Sequence, residues 1–472
     1  MVRGHQRGNR HHPGIRPRRR FRAAAAALAA VLAGGSLAGG LFIAPSAFAD
    51  SWRDKEYWLN EYGISAAWQV SKGAGVKVAI IDSGVDGQHP DLKDAVVGGT
   101  DASGAGSPDG QKSIGSKPEH GTLVATLLAG RGHTPPSPSG APASPSPAAG
   151  SIGSDGIVGV APEAQILTVS AWLGSPNPTG KTDQEQIPEA VRWAVDNGAK
   201  VINISLGSTS PDWPQSWDAA FLYAEQKDVV VVAAAGNRIA GNVQVGAPAT
   251  IPGVLTVAGL DRNRTASVDA SSQGISIGVS APSEQLVGGL PGGSYEDWAG
   301  TSGSAPIVSG VAALIRSKWP TMSAKQVINR IVSTAQDAGA PGKDPIYGYG
   351  ILNAEAALKA DVPEAQSNPL GSIADWIRVH RRGDLSTPTP LPTTKVSSSL
   401  PPLADPTVPV AKAPSEADTT VPAAVVVGFG VLFIAILAGA TFQLRRAYRA
   451  PPRPVEATES GEVEVVDPSP PK

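Results

Sequence analysis

The sequence predicts a doubly wound α/β fold, a mainly parallel sheet with helices on both faces, plus one C-terminal transmembrane helix. Three observations carry that expectation. Short apolar runs of strand length are hydrophobic throughout instead of alternating, as suits strands buried on both faces. Stretches with helical period separate them, and the alternation persists for about 300 residues. An uncharged segment near the C-terminus is long enough for the ~20 residues that cross a bilayer.

The elements follow in chain order. Residues 1–49 hold a basic start, a long apolar run and the small-residue pattern Ala47-Phe48-Ala49, which reads as a signal peptide cut before Asp50. The folded domain is expected over residues 50–360. Its strand candidates are "VKVAIID" (Val76–Asp82), "QILTVSAW" (Gln165–Trp172), "KVINISL" (Lys200–Leu206), "VVVVAAAGN" (Val229–Asn237) and "GVLTVAG" (Gly253–Gly259). Helix-period runs cover His120–Gly130, Glu185–Gly198, Ser216–Asp228, Ala305–Trp319 and Ser323–Gln336. A Pro/Ser-rich stretch at 131–156 cannot bury enough apolar surface to order itself and reads as a surface insertion, which takes His133 with it. Residues 361–420 read as a Pro-rich, semi-extended stalk; within it "ADWIRVHRRG" (Ala374–Gly383) reads either as a short basic turn of helix near the membrane or, in preference, as plain linker. The span itself is Val421–Leu444. The "RRAYR" that follows puts the tail at 445–472 in the cytoplasm and the domain on the outer face of the cell membrane.

Composition removes several kinds of chemistry. A formal net charge of -2, with no basic tract inside the domain, gives no reason to expect a nucleic-acid partner. There is no cysteine, so catalytic thiols, disulfides and cysteine-ligated zinc are excluded.

In an open α/β sheet, reactive groups gather outside the carboxyl ends of the strands. Asp82 ends the first apolar run and Asn237 the fourth, while His120 and Ser302 each sit where a helix opens. Of the seven histidines, His5, His11 and His12 precede the domain and His380 falls in the stalk. His89 stands before Pro90-Asp91, where it shapes a turn, which leaves His120 as the candidate base. Thr301, Ser302 and Ser304 crowd just ahead of an apolar run, and on that stretch alone a helix cap is the simpler reading. Taken together the four candidates suit a nucleophilic site. A serine hydroxyl needs a base within reach, and histidine is one. A buried carboxylate fixes the histidine tautomer. An asparagine amide can donate to the oxyanion that forms. Asp86, four residues beyond Asp82, has no assigned part in this chemistry.

The segments "IIDSGVDGQHPDL", "HGTLVA", "AAAGN" and "GTSGSAP" resemble the four signatures of the subtilisin-like serine proteases, the subtilases, in that family's order. The resemblance spans roughly residues 66–360. It implies a subtilisin-like fold and an endopeptidase acting on protein or peptide substrates. Asp82 would orient His120, His120 would act as general base and acid, and Ser302 would be the nucleophile. Asn237 would donate to the oxyanion beside the Ser302 N–H, and "SLG" (Ser205, Leu206, Gly207) would pair with substrate backbone. Thr301 and Ser304 would pack or cap. No cofactor and no metal are carried over, because the Pro/Ser insertion replaces the stretch where many subtilases hold a calcium loop. Gly303 departs from relatives that carry a bulkier residue after the nucleophile.

The order of signal peptide, protease domain, stalk, single span and short tail resembles the mycosins, membrane-anchored proteases of actinobacterial type VII secretion systems. This resemblance implies processing of secreted substrates and partnership with the secretion membrane complex. The rival expectation is a catalytically weak scaffold that braces that complex. "GISIG" (Gly274–Gly278) matches the nucleophile elbow of α/β-hydrolases, but that fold needs a histidine after the serine, and only His380 follows.

Overall fold

The computed structural model describes residues 51–135, 152–381 and 438. Apart from residue 438, the expected signal peptide at 1–49, the stalk beyond residue 381, the span at 421–444 and the tail at 445–472 lie outside the described residues. Among the described residues no helix is long and apolar enough to cross a membrane.

In chain order the strands are β1 (Lys77–Asp82), β2 (Val96–Asp101), β3 (Arg131–His133), β4 (Asp155–Val158), β5 (Gln165–Ser170), β6 (Val201–Ile204), β7 (Val230–Ala234), β8 (Leu255–Leu260), β9 (Ile277–Pro282), β10 (Leu286–Gly289) and β11 (Tyr295–Trp298). The helices are α1 (Trp58–Glu61), α2 (Ile64–Ala67), α3 (His120–Ala129), α4 (Asp183–Asp196), α5 (Asp218–Gln226), α6 (Thr301–Lys318), α7 (Ala324–Ser333), α8 (Ala354–Lys359) and α9 (Ile373–His380). The central sheet runs β2-β5-β1-β6-β7-β8-β9, and every neighbouring pair in it is parallel. Two short antiparallel ribbons, β3–β4 and β10–β11, stand apart from it.

Successive strand residues face opposite sides, so a strand covered on both faces has no polar position to spare. Val78 and Ile80 of β1 join the core on one face, with Val124 of α3 and Val308 of α6. Ala79 and Ile81 join the other, with Val191 of α4 and Phe221 of α5. Helix α6 is buried continuously from Gly303 to Arg316 and so runs through the larger core. The chain leaves β1 for β2 and β5 on one side, then returns across β1 to β6 on the other. The carboxyl ends of β1 and β6 therefore meet at a reversal of strand order, where α/β sheets open a crevice.

The structure departs from expectation at strand β2, at the 131–156 insertion and at 374–383. Helix α6 begins at Thr301, so Ser302 sits where the helix opens, as expected, and the hydroxyl cluster forms a first turn ahead of the helix-period run from Ala305. Strand β2 gave no strand signal, because it lies at the sheet edge, carries Gly98 and Gly99, and is only partly buried. The two ends of the 131–156 insertion are ordered, since β3 pairs with β4 across its base. His133 belongs to that base, with Nδ1 2.7 Å from Oδ1 of the fully buried Asp91. At 374–383 the preferred linker reading fails and the helical alternative holds: the segment contributes α9, which buries Ile373 and Ile377 against the core that holds α5. Its signal was a short amphipathic run masked by the prolines around it.

Candidate active site

Asp82 is the last residue of β1 and is fully buried. Its Oδ1 accepts the Ser83 N–H at 2.7 Å and pairs with His120 Nδ1 at 2.8 Å. Its Oδ2 is buried with no hydrogen-bond partner among the described residues, so the histidine contact carries much of the compensation for this carboxylate.

His120 opens α3. The residue after it must be glycine for a steric reason: a Cβ at Gly121 would fall 2.1 Å from the Gly84 carbonyl oxygen. That close approach sets the helix N-terminus directly on the loop leaving β1 and brings the imidazole to Asp82. Ser83 Oγ accepts the Gly121 N–H at 2.9 Å and satisfies one of the unpaired donors of the first turn. Burial alone would lower the His120 pKa. The charge of Asp82 and its hydrogen bond outweigh burial and hold the ring above its ordinary value.

Ser302 lies in the first turn of α6. Its hydroxyl donates to the Ser205 carbonyl at 3.1 Å and not to His120. In the opposite direction, Ser205 Oγ donates to the Ser302 carbonyl at 2.8 Å. Pro306 explains that second bond. Lacking an N–H, it cannot supply the i+4 donor that the Ser302 carbonyl would otherwise receive. Behind Ser205 the contacts continue through buried side chains: Asn203 Nδ2 donates to Ser205 Oγ at 2.8 Å, and Ser309 Oγ donates to Asn203 Oδ1 at 2.9 Å.

Asn237 follows β7. Its Oδ1 accepts both the Thr301 N–H at 2.8 Å and the Thr301 hydroxyl at 2.9 Å. Because the Thr301 amide is a donor, the atom facing it must be the amide oxygen, and the NH2 group is left as the free end. Thr301 Oγ1 also accepts the Gly236 N–H at 3.1 Å, which ties the turn before Asn237 to the first turn of α6.

These groups converge. Asp82, His120, Asn237 and Ser302 border one cleft of about 360 Å³, and Ser205, Leu206 and Gly207 form part of its wall. All seven residues singled out in the sequence are brought to this cleft. Thr301 and Asn203 were not legible as contributors, since a hydroxyl beside a helix start also reads as a cap and a strand asparagine carries no signature. Asp86 is occupied locally, accepting the Gln88 and Gly292 N–H groups. Ser276 of the elbow-like stretch lies in a turn just before β9, beside the exposed Ile275.

The profile of the subtilase family matches residues 73–350, which contain the whole cleft. The chain belongs to the subtilase family. It is a serine endopeptidase of subtilisin-like fold. Subtilisin DY of Bacillus licheniformis is 36% identical over 292 residues, covering 61% of this chain and 92% of its own. Mycosin-4 of Mycobacterium tuberculosis is 33% identical over 369 residues, covering 69% of this chain and 74% of its own. Among solved structures, MycP1 with its N-terminal propeptide removed superposes with a TM-score of 0.52 at 30% identity, over 66% of this chain and 98% of that one. MycP1 from the ESX-1 type VII secretion system gives a TM-score of 0.51 at 29% identity, over 66% of this chain and 88% of that one. Within the family the chain is of the mycosin type.

Proposed function

We propose that this subtilase cleaves peptide bonds through a Ser302–His120–Asp82 triad, anchored in the cell membrane with its catalytic domain outside, on substrates of a type VII secretion system. One observation carries the chemistry: the 2.8 Å Asp82–His120 contact lies at the same cleft as Ser302 and the tethered Asn237 amide.

In this mechanism a peptide strand lies along Ser205–Gly207 with its scissile carbonyl over Ser302. The Ser302 hydroxyl turns from the Ser205 carbonyl to His120 Nε2, gives up its proton and attacks the carbonyl carbon. Asp82 stabilises the imidazolium that forms. The oxyanion accepts hydrogen bonds from Asn237 Nδ2 and from the Ser302 N–H, which lies in the first turn of α6, where helical N–H groups lack internal partners. Collapse of the tetrahedral intermediate breaks the C–N bond, and His120 Nε2 returns the proton to the departing amine. Water then takes the place of the hydroxyl, and the same groups hydrolyse the acyl-enzyme.

Anchoring rests on the uncharged Val421–Leu444 run and the arginines after it. The secretion setting rests on the mycosin relatives. The chemistry is tested by labelling the purified protein with a fluorophosphonate. Label is expected on the wild type and absent from Ser302→Ala, whereas two folded proteins that both stay unlabelled leave only a scaffold role. Comparing the proteins secreted by wild-type and Ser302→Ala cells tests the setting. Unchanged secreted proteins, all of them cut as before, would remove it.

A further inference from the structure

We infer that Trp298 is a positioning residue for the His120 imidazole, seated beside it through the space that Gly303 leaves open. The inference rests on the triad reading above and deepens it. Trp298 ends β11 and pairs with Leu286 across the β10–β11 ribbon. Its ring lies 5.9 Å from the His120 ring at an interplanar angle of 80°, an edge-to-face contact. A Cβ added at Gly303 would fall 2.2 Å from Leu286 Cδ1 and 3.3 Å from Trp298 Cζ2. The place that a side chain after the nucleophile would occupy is therefore taken by Leu286 and flanked by the indole. A larger residue there would displace Leu286 first and the indole with it.

The indole is not held there by a hydrogen bond. Its Nε1 is buried with no partner among the described residues. That atom lies 3.0 Å from where a Cβ on Gly288 would stand, so the floor of the seat is bare strand backbone. A buried donor left unmet costs free energy, and a packing contact is what remains to offset it. The contact bears on the one element of the triad that needs it. Asp82 fixes the Nδ1 edge of His120, but the Ser302 hydroxyl is bonded to Ser205, so the Nε2 side of the ring has no tether from the nucleophile. Trp298 is absent from the walls of the cleft that holds Ser302, which makes the histidine, and not the acyl part of the substrate, its route of action. In this arrangement the carboxylate sets the tautomer and the indole limits the swing of the ring.

The test compares the full chain with Trp298→Ala, Trp298→Phe and Trp376→Ala. The last removes an indole packed against Trp213, with ring centres 4.5 Å apart and the planes tilted by 45°, and serves as a control for lost packing alone. Three quantities are read: kcat and KM on a peptide substrate, the rate of fluorophosphonate labelling, and the downfield proton resonance of the His120–Asp82 hydrogen bond. Trp298→Ala is expected to lower kcat and labelling by about tenfold to a hundredfold with KM within roughly twofold, as for a misplaced catalytic group. Its downfield resonance should broaden or vanish. Trp298→Phe should restore most of the rate and the resonance, and Trp376→Ala should keep both. If the alanine protein does not fold, Trp298→Leu, which keeps apolar contact with Leu286 but has no ring, carries the same expectations. An unchanged kcat, a loss lying in KM, or an intact resonance in the ringless variant overturns the inference. A wild type that neither labels nor turns over sinks the triad reading instead, and the resonance, which needs only Asp82 and His120, still decides the part played by Trp298.

Discussion

Ser205 and Ser302 exchange two hydrogen bonds, each hydroxyl donating to the other residue's carbonyl, at 2.8 and 3.1 Å. The exchange joins the end of β6 to the first turn of α6, so the strand that would receive substrate backbone also fixes the proposed nucleophile. It exists because Pro306 withholds a helical donor from the Ser302 carbonyl. Asn203 and Ser309 then hold the Ser205 hydroxyl from behind in a fully buried chain. Buried polar chains of this kind are stabilising only when every member is satisfied.

Ser205→Ala removes the donor to the Ser302 carbonyl and leaves Asn203 Nδ2 unmet as well. The expected cost is about 1–3 kcal/mol of stability, together with a fall in kcat of roughly tenfold from a less fixed nucleophile. Denaturant unfolding and steady-state kinetics measure the two. Full stability with full kcat would mean that water replaces the hydroxyl and that the exchange does not position Ser302.

Asn237 has its amide oxygen doubly held by Thr301, which leaves the NH2 group to act on the oxyanion. Asn237→Ala is therefore expected to cut kcat by about 10²–10³ with KM nearly unchanged. Thr301→Val keeps the backbone bond at 2.8 Å but loses the hydroxyl one and strands the Gly236 N–H. It should cost kcat roughly tenfold, an intermediate loss. A Thr301→Val enzyme as impaired as Asn237→Ala, or an effect confined to KM in either, would refute this division of labour.

The pH dependence follows from the direction of the His120 shift. The ring must be neutral to accept the Ser302 proton, and Asp82 holds its pKa above the ordinary histidine value of about 6.5. The acid limb of kcat/KM should then lie above that value. Asp82→Asn takes away the charge while burial keeps acting downward, so the limb should move to lower pH as kcat falls by about 10³–10⁴. For stability the sign is the raised-pKa one. The contribution of protonated His120 is complete below the unfolded value and disappears as pH climbs through the folded one. Melting curves of wild type and His120→Ala should accordingly converge as pH rises through that window. An acid limb that stays in place in Asp82→Asn would contradict the assignment.

The parts of this molecule that were legible in the sequence are those in which one physical demand overrides all others. Strands β1, β5, β6, β7 and β8 are covered on both faces, and only unbroken apolar runs satisfy that. His120-Gly121 and Asp82-Ser83 are legible because close approach of α3 to the β1 exit admits few alternatives. Contributions that depend on side-chain direction left no such trace. Thr301 reads as a cap until its oxygen is seen on Gly236 and Asn237. Trp298 carries no sequence pattern that points to His120. His133 looked unstructured because the prolines beyond it dominate its window, yet a buried Asp91, distant in sequence, fixes it at 2.7 Å.

Helix α9 supplies the last prediction, because it moves the end of the folded body past residue 360. Ile373 and Ile377 are buried on it, and the Ile373 N–H donates to Glu225 Oε2 at 2.9 Å. Trp376 packs at a tilt against Trp213, and Arg381 Nε meets Asp218 Oδ2 at 2.9 Å. A chain ended at residue 360 would open the buried apolar cluster that Ile373 and Ile377 share with Phe221 and Ile251. At about 1.5–3 kcal/mol for each isoleucine, the loss amounts to roughly 3–6 kcal/mol. In a domain of this size that corresponds to a Tm lower by roughly 10 °C. The catalytic cleft should survive below that temperature. Ile373 and Ile377 belong to the core on the face of the sheet opposite the one that packs α3 and α6, so kcat at low temperature should match that of a chain ended at residue 381. Equal melting temperatures for the two chains would show that α9 rests on the domain without holding it together.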